Sequence, residues 1–285
     1  MATLRDIRKR IHSVENIKQI TKAMEMVAAA RLRRAQAKAE QSQPYARKMR
    51  QILENLASAS TDFTHPLYQE REVKRTGLVV VAADRGLCGS YNTNLFQAAD
   101  RFLKNYPPDK IELILVGRKG VDYYRRRKWK IKHRIPEWGG KISFIQIKSL
   151  ANKLVIWFQS GELDEVWLIY THFISIASRK VLVEKFLNLE KPQSKKRKLF
   201  SDYIFEPNPA EIYAEILPRY CITKIQTVLA QAYASELAAR MISMGAATKN
   251  AEEMIEDLTL VRNKARQASI TKEMLEITSG AEALK

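Results

Sequence analysis

Few residues in this chain could carry chemistry. Asp84-Arg85-Gly86-Leu87-Cys88-Gly89-Ser90 follows an unbroken apolar run, GLVVVAA at 77–83, and precedes a helical stretch. After the first strand of an α/β sheet, that is where a backbone-lined phosphate site forms. The glycines stand three apart, which fits neither G-x-G-x-x-G nor G-x-x-x-x-G-K-[ST]. A tight turn at a sheet edge is therefore expected. Cys88 and Cys221 have no metal-ligand spacing. Neither is paired in sequence with a histidine that could activate a thiol, and His12, His65, His133 and His172 form no group. Glu252, Glu253, Glu256 and Asp257 read as a solvated helical face rather than a shielded acid/base pair. No catalytic residue, metal site or cofactor is expected.

Charge is the stronger signal. The 285 residues carry a formal net charge of +18, which suggests anionic partners. Stretch 118–134 holds nine Lys/Arg and one acid, Asp122, with Tyr123, Tyr124 and Trp129 interleaved. Single-stranded nucleic acid, a membrane-proximal face, an acidic protein face and a plain solvated helix all fit such a run. Arg31, Arg33, Arg34 and Lys38 crowd one section near the N-terminus. An isolated coiled coil gains nothing from that belt, whereas a shaft inside an acidic sleeve would. Two cysteines give no disulfide framework, and no run of about 18 apolar residues crosses a membrane.

The elements that must position these groups fall into three parts: an N-terminal helix over 1–60, an α/β domain over 61–208, and a long C-terminal helix over 209–285. Residues 3–43 contain no Pro or Gly. Leu4, Ile7, Ile11 and Val14 recur at helical spacing, and Ile17, Ile20, Met24 and Val27 make a second track. That helix spans about 60 Å, and Pro44 is expected to kink or interrupt it. Beyond Pro218, Leu237, Met241, Met244, Thr248 and Ala251 form a heptad-like seam. It resumes at Met254, Leu258, Val261, Ala265, Ala268, Lys272 and Leu275. A helix over 219–278 is about 90 Å long. The two ends are expected to pair as an antiparallel two-helix coiled coil, with a compact bundle as the alternative. Between them, strands at 77–83, 111–116, 142–147, 165–172 and 180–189 and helices at 91–105, 118–128 and 148–160 imply a small, mostly parallel Rossmann-like sheet. The fold class is mixed α/β.

Three segments resemble one family. Ile20-Thr21-Lys22-Ala23-Met24-Glu25-Met26-Val27-Ala28-Ala29, Asn263-Lys264-Ala265-Arg266-Gln267-Ala268-Ser269-Ile270-Thr271-Lys272-Glu273 and the Asp84–Gly89 turn are similar to the gamma subunits of F-type ATP synthases. The resemblance runs the length of the chain and is thinnest over 118–165 and 190–200. It implies a central rotor shaft without a catalytic site, set in a ring of three alpha and three beta subunits. It also implies contact with the epsilon subunit and the membrane c-ring, no nucleic acid, no cofactor, and a peripheral place on the cytoplasmic face of a bacterial membrane. By matching position, Arg266, Gln267, Thr271 and Glu273 face acidic loops of the ring. Met24 and Arg240 belong to a lower contact, and Cys88 lies near the acidic lobes of beta. The belt Arg31, Arg33 and Arg34 faces the ring, and Tyr203 approaches the c-ring or epsilon. Two other readings stay open. A nucleic-acid-binding coiled coil would show salt-dependent binding, and a nucleotide-dependent enzyme on the middle sheet would bind nucleotide as an isolated chain.

Overall fold

The computed structural model describes residues 3–59, 66–68, 71–139, 143–189 and 209–282. The elements run α1 (Leu4–Ala59), β1 (Thr76–Val81), α2 (Tyr91–Leu103), β2 (Ile111–Val116), α3 (Arg118–Tyr124), β3 (Lys130–Ile135), α4 (Phe144–Gln159), β4 (Glu165–Phe173), β5 (Arg179–Leu187) and α5 (Pro209–Glu282). They form two compact units, Met1–Ala29 with Arg240–Lys285, and Ala30–Ala239. Each terminal helix contributes to both units, as α1 spans Leu4–Ala59 and α5 Pro209–Glu282. The reason is that the part of α5 nearest its start, and Leu53 of α1, sit in the core of the sheet unit.

In the sheet unit the strand order is β3-β2-β1-β4-β5. The first four strands are parallel, and β5 closes the edge antiparallel to β4. Every residue of β1 and β2 is buried. Alternate side chains serve two cores. Leu78, Val80, Leu113 and Leu115 pack under α2 and α3. Val79, Val81, Ile114 and Val116 pack under α4 and α5. Burial on both faces is why these strands read as unbroken apolar runs.

Three expectations are corrected. The strand expected at 142–147 is not found over its described residues, 143–147. Ser143 and Gln146 form a reciprocal capping box (Ser143 N donates to Gln146 Oε1, 3.0 Å) and start α4. The strand is β3, whose Ile131 and Ile135 alternate with charged neighbours as suits a sheet edge. Of the kink or interruption expected at Pro44, the interruption does not occur, and α1 continues to Ala59. An interior proline costs about 3 kcal/mol, and burial of Met49 and Leu53, at roughly 1.5–3 kcal/mol each, offsets it. Likewise α5 begins at Pro209, a favoured first-turn position, and runs through Pro218 with Leu217 and Cys221 fully buried beside it.

In the helical unit, α1 and α5 pack antiparallel. Thr21 Oγ1 and Thr248 Oγ1 lie 2.8 Å apart, Lys18 pairs with Glu252 at 3.0 Å, and the Glu25 carboxylate covers Gly245. Ile7, Ile11, Val14, Thr21 and Ala28 are buried with Met244, Thr248 and Ala251. The second track is not part of this seam. Ile17, Ile20 and Val27 are 51%, 59% and 51% exposed. The buried stripe passes instead through Thr21 and the half-buried Lys18 and Glu25.

Gly117 joins β2 to α3 at φ +94, and a Cβ there would stand 2.1 Å from the carbonyl oxygen of Ala82. Gly117→Ala is expected to destabilise the chain by at least about 2 kcal/mol in urea unfolding. Unchanged stability would contradict this packing.

Candidate partner-contact surface

In a sheet of this order, small ligands bind outside the carboxyl ends of the strands where the chain reverses direction across the sheet, here between β1 and β4. The chain fills that notch itself. Tyr91 donates its hydroxyl hydrogen to the carbonyl of Ala232 (3.2 Å), and Ser235 donates to the carbonyl of Thr171 (2.9 Å). His172 Nδ1 lies 2.5 Å from Gln231 Oε1, and the Trp138 and Tyr233 rings meet edge to face. Ala83, Cys88 and Tyr91 close on Ala239. About two and a half turns of α5, residues 231–239, are thus held where a nucleotide would lie.

The 84–90 segment is a turn, as expected, but it crowns the central strand β1 rather than a sheet edge. Asp84 organises it. Its carboxylate accepts from the backbone N–H groups of Arg118 (3.1 Å), Trp138 (2.9 Å) and Gly139. That satisfies donors from two other connections and leaves no open nest of N–H groups at the carboxylate. Leu87 takes φ 62, unusual for a residue with a side chain, and is 62% exposed. Cys88 sits inside the turn, so its side chain is covered in this chain. Its thiol is 2% exposed, donates weakly to the Arg85 carbonyl and accepts from Asn92.

The remaining predicted contact residues on described positions lie at or near the surface. Arg31, Arg33 and Arg34 are exposed around the buried Leu32. None forms an ion pair among the described residues, so the belt is unneutralised. Arg266, Gln267, Thr271 and Glu273 are exposed, with Thr271 donating to the Gln267 carbonyl and Ser269 to Glu273. Met24 and Arg240 are half-buried. Tyr203 lies outside the described residues. No group of three or more potential metal ligands occurs among the described residues.

What sequence spacing missed is the apolar exposure of the helical unit. On α1, Ile17, Ile20, Met26 and Val27 are open. On α5, Met254, Leu260, Val261, Ile270, Met274, Leu275 and Ile277 are 49–73% exposed. Scattered single exposures are ordinary, but this density on two helices marks a surface made for a partner. The signal was present in the sequence as an apolar track too wide for one seam.

A chain whose ligand notch is filled by its own helix, and whose terminal helices present apolar and unpaired basic side chains, is a partner-binding component of an assembly. The comparisons name the assembly. A family model described as ATP synthase matches residues 3–284. The ATP synthase gamma chain of Protochlamydia amoebophila (strain UWE25) is 58% identical over 285 residues, covering both chains fully. That of Desulfitobacterium hafniense is 46% identical, again over both chains. A central stalk/c-ring structure of Tetrahymena thermophila mitochondrial ATP synthase has TM-score 0.62 at 26% identity, over 80% of this chain and 99% of that one. A Euglena gracilis mitochondrial ATP synthase structure shares the fold, with TM-score 0.66 at 22% identity over 99% and 94%. The chain belongs to the ATP synthase gamma chain family, the central-stalk rotor subunits. No helix among the described residues is long and apolar enough to cross a membrane.

Both thiols are buried, and burial pushes the Cys221 pKa up to about 12. A raised thiol stays protonated below that value, so Cys221 carries almost no thiolate at pH 8. Alkylation of Cys221 in the native chain at pH 8 is expected to be on the order of 100-fold or more slower than after denaturation. Equal rates would contradict its placement.

Proposed function

We propose that this chain has no catalytic site and couples rotation, driven by H+ or Na+ flow through a membrane c-ring, to ATP synthesis or hydrolysis on partner subunits. Three alpha and three beta subunits surround one copy. The helical unit lies within that ring, and the complex works at the cytoplasmic face of a bacterial membrane, to which this chain is peripheral. The observation that carries the reading is the combination of exposed apolar side chains on both terminal helices with the unpaired belt Arg31, Arg33 and Arg34. An apolar sleeve can slide over such side chains because dispersion and desolvation have no preferred direction. Exposed cations facing acidic loops attract without one fixed geometry.

In this reading Arg266, Gln267, Thr271 and Glu273 meet the ring's loops, and Met24 and Arg240 meet a lower contact. The turn holding Cys88 lies near the acidic lobes of beta, with the exposed Leu87 at its surface, and Tyr203 approaches the c-ring or epsilon subunit. Support comes from the exposure of the first four and from relatives named as gamma chains over their full length. The similar Tetrahymena structure, a central stalk with c-ring, agrees with c-ring contact.

The test is ATP hydrolysis by purified alpha and beta subunits with and without this chain, with subunit ratios from native mass spectrometry. A complex of three alpha, three beta and one copy, more active than the mixture lacking it, is expected. Arg266→Ala with Gln267→Ala should leave assembly intact and lower coupled turnover by about tenfold, the equivalent of about 1.4 kcal/mol of lost contact. A folded chain that does not join the subunits would overturn the reading.

A further inference from the structure

One strongly charged patch plays no part in that mechanism. Because β1 to β4 are parallel, the connections that precede them all lie at one edge of the sheet. Register fixes the neighbours. Thr76 of β1 lies beside Ile111 of β2, and Glu112 of β2 beside Lys130 of β3. The amide of Thr76 donates to the carbonyl of Lys110. Adjacent strands stand about 4.8 Å apart, so the turn at 104–110 and the turn at 125–129 are side by side on this rim.

The acids near this rim are paired within the chain, the exposed Glu72 with Lys74. Glu112, 3% exposed, is paired with Lys130 and Lys132, and Glu162 with Lys132. Burial alone would raise the Glu112 pKa, but hydrogen bonds from Lys130 and Lys132 outweigh it and hold the group below its ordinary value. Glu165 accepts from Thr76 and Tyr106 and lies near Lys185. Asp164 accepts from the backbone N–H groups of Lys74 and Arg75. By contrast, Lys104, Lys110, Arg125, Arg126 and Lys128 are all exposed, and none has an ion-pair partner among the described residues. Asp109 is the one acid in the two turns.

We propose that this rim is a binding face for anionic lipid headgroups, with Lys104, Lys110, Arg125, Arg126 and Lys128 contacting the bilayer surface. Two other anionic partners fit less well. Single-stranded nucleic acid needs free aromatic faces on which bases stack. Here Tyr123 is covered on one side by Phe96 (centroids 4.1 Å apart) and on the other by the Arg127 guanidinium (3.4 Å). Trp129 is half-buried against the core under α2 and α3. A stable protein interface needs apolar anchors in its centre, and among the described residues between 88 and 139 no large apolar side chain is exposed. A diffuse array of cations without anchors suits a surface of mobile anionic headgroups. The inference goes beyond the rotor reading and does not depend on it.

The test is flotation of the full chain with vesicles of phosphatidylcholine alone or with phosphatidylglycerol, at low and physiological salt. Binding should require phosphatidylglycerol and weaken with salt. Each cation removed should lower partitioning about fivefold. Arg125→Ala/Arg126→Ala/Lys128→Ala should therefore lose on the order of 100-fold, with its circular dichroism unchanged. Arg5→Ala/Arg8→Ala/Lys9→Ala, which removes equal charge from exposed positions of the helical unit, should retain binding. Equal losses in both triple variants would overturn the proposal, since net charge alone would then be acting. Indifference to phosphatidylglycerol would also overturn it, as would tighter binding of a single-stranded oligonucleotide through the same three residues. Failure to join alpha and beta subunits would leave this result unaffected.

Discussion

Two helices packed against each other can each bury one stripe of side chains, and that geometric limit governs the helical unit. The buried stripe here is modest and partly polar. It includes the Thr21–Thr248 hydroxyl contact, the Lys18–Glu252 pair and the Glu25 carboxylate over Gly245. A hydroxyl contact of this kind contributes about 1 kcal/mol. Fully burying one Ile, Leu or Met contributes roughly 1.5–3 kcal/mol. Yet Ile17, Ile20, Met254, Leu260, Met274 and Leu275 are left open. Much apolar surface of this unit therefore contributes nothing to its folding. Exposed Arg266 and Gln267 lie on the same stretch of α5. Contacts of this sort, apolar and weakly electrostatic, are what a turning element and its housing can exchange without locking.

The sheet unit obeys a different constraint. Its parallel order creates a ligand notch at the carboxyl end of β1, and α5 fills it through Gln231, Ala232, Tyr233 and Ser235. The same α5 continues into the helical unit. A fold whose relatives in architecture hold nucleotides there is here used as an anchor for a helix. Asp84, tying together the connections after β1, β2 and β3, completes that role. Its turn resembles a phosphate loop in position only.

Much of this was legible in sequence because burial leaves periodic traces. The apolar runs of β1 and β2 announced strands buried on both faces. Of the expected seam, Leu237, Met244, Thr248 and Ala251 are buried and Met241 is half-buried, but its continuation is open at Met254, Val261, Ala268, Lys272 and Leu275. Two kinds of feature were not legible. Where local chemistry competes with pattern, pattern misleads: ISFIQI looks β-like, but the Ser143–Gln146 capping box starts a helix inside it. Pro44 looks like a stop, but tertiary burial of Met49 and Leu53 carries the helix past it. The second kind is choice between tracks. Ile17, Ile20, Met24 and Val27 have helical spacing as good as that of Ile7, Ile11 and Val14. Only the three-dimensional partner, α5 with Gly245 and Thr248 facing Glu25 and Thr21, decides which track is covered. Cys88 illustrates the same limit within the candidate site. Its motif marked a contact turn, but the turn's backbone sends the thiol inward and Leu87 outward.

The central claim is that the open apolar side chains of the terminal helices are a contact surface completed by partner subunits. Hydroxyl-radical labelling read by mass spectrometry tests it directly. Ile17, Ile20, Met26, Met254, Met274 and Leu275 would be compared in the free chain and in the complex with alpha and beta subunits. The account predicts strong labelling of these residues in the free chain and at least roughly a fivefold fall on assembly, as burial of most of each side chain requires. Labelling that stays at the free-chain level in a verified complex would contradict it, and the contact surface would then have to lie elsewhere on the chain.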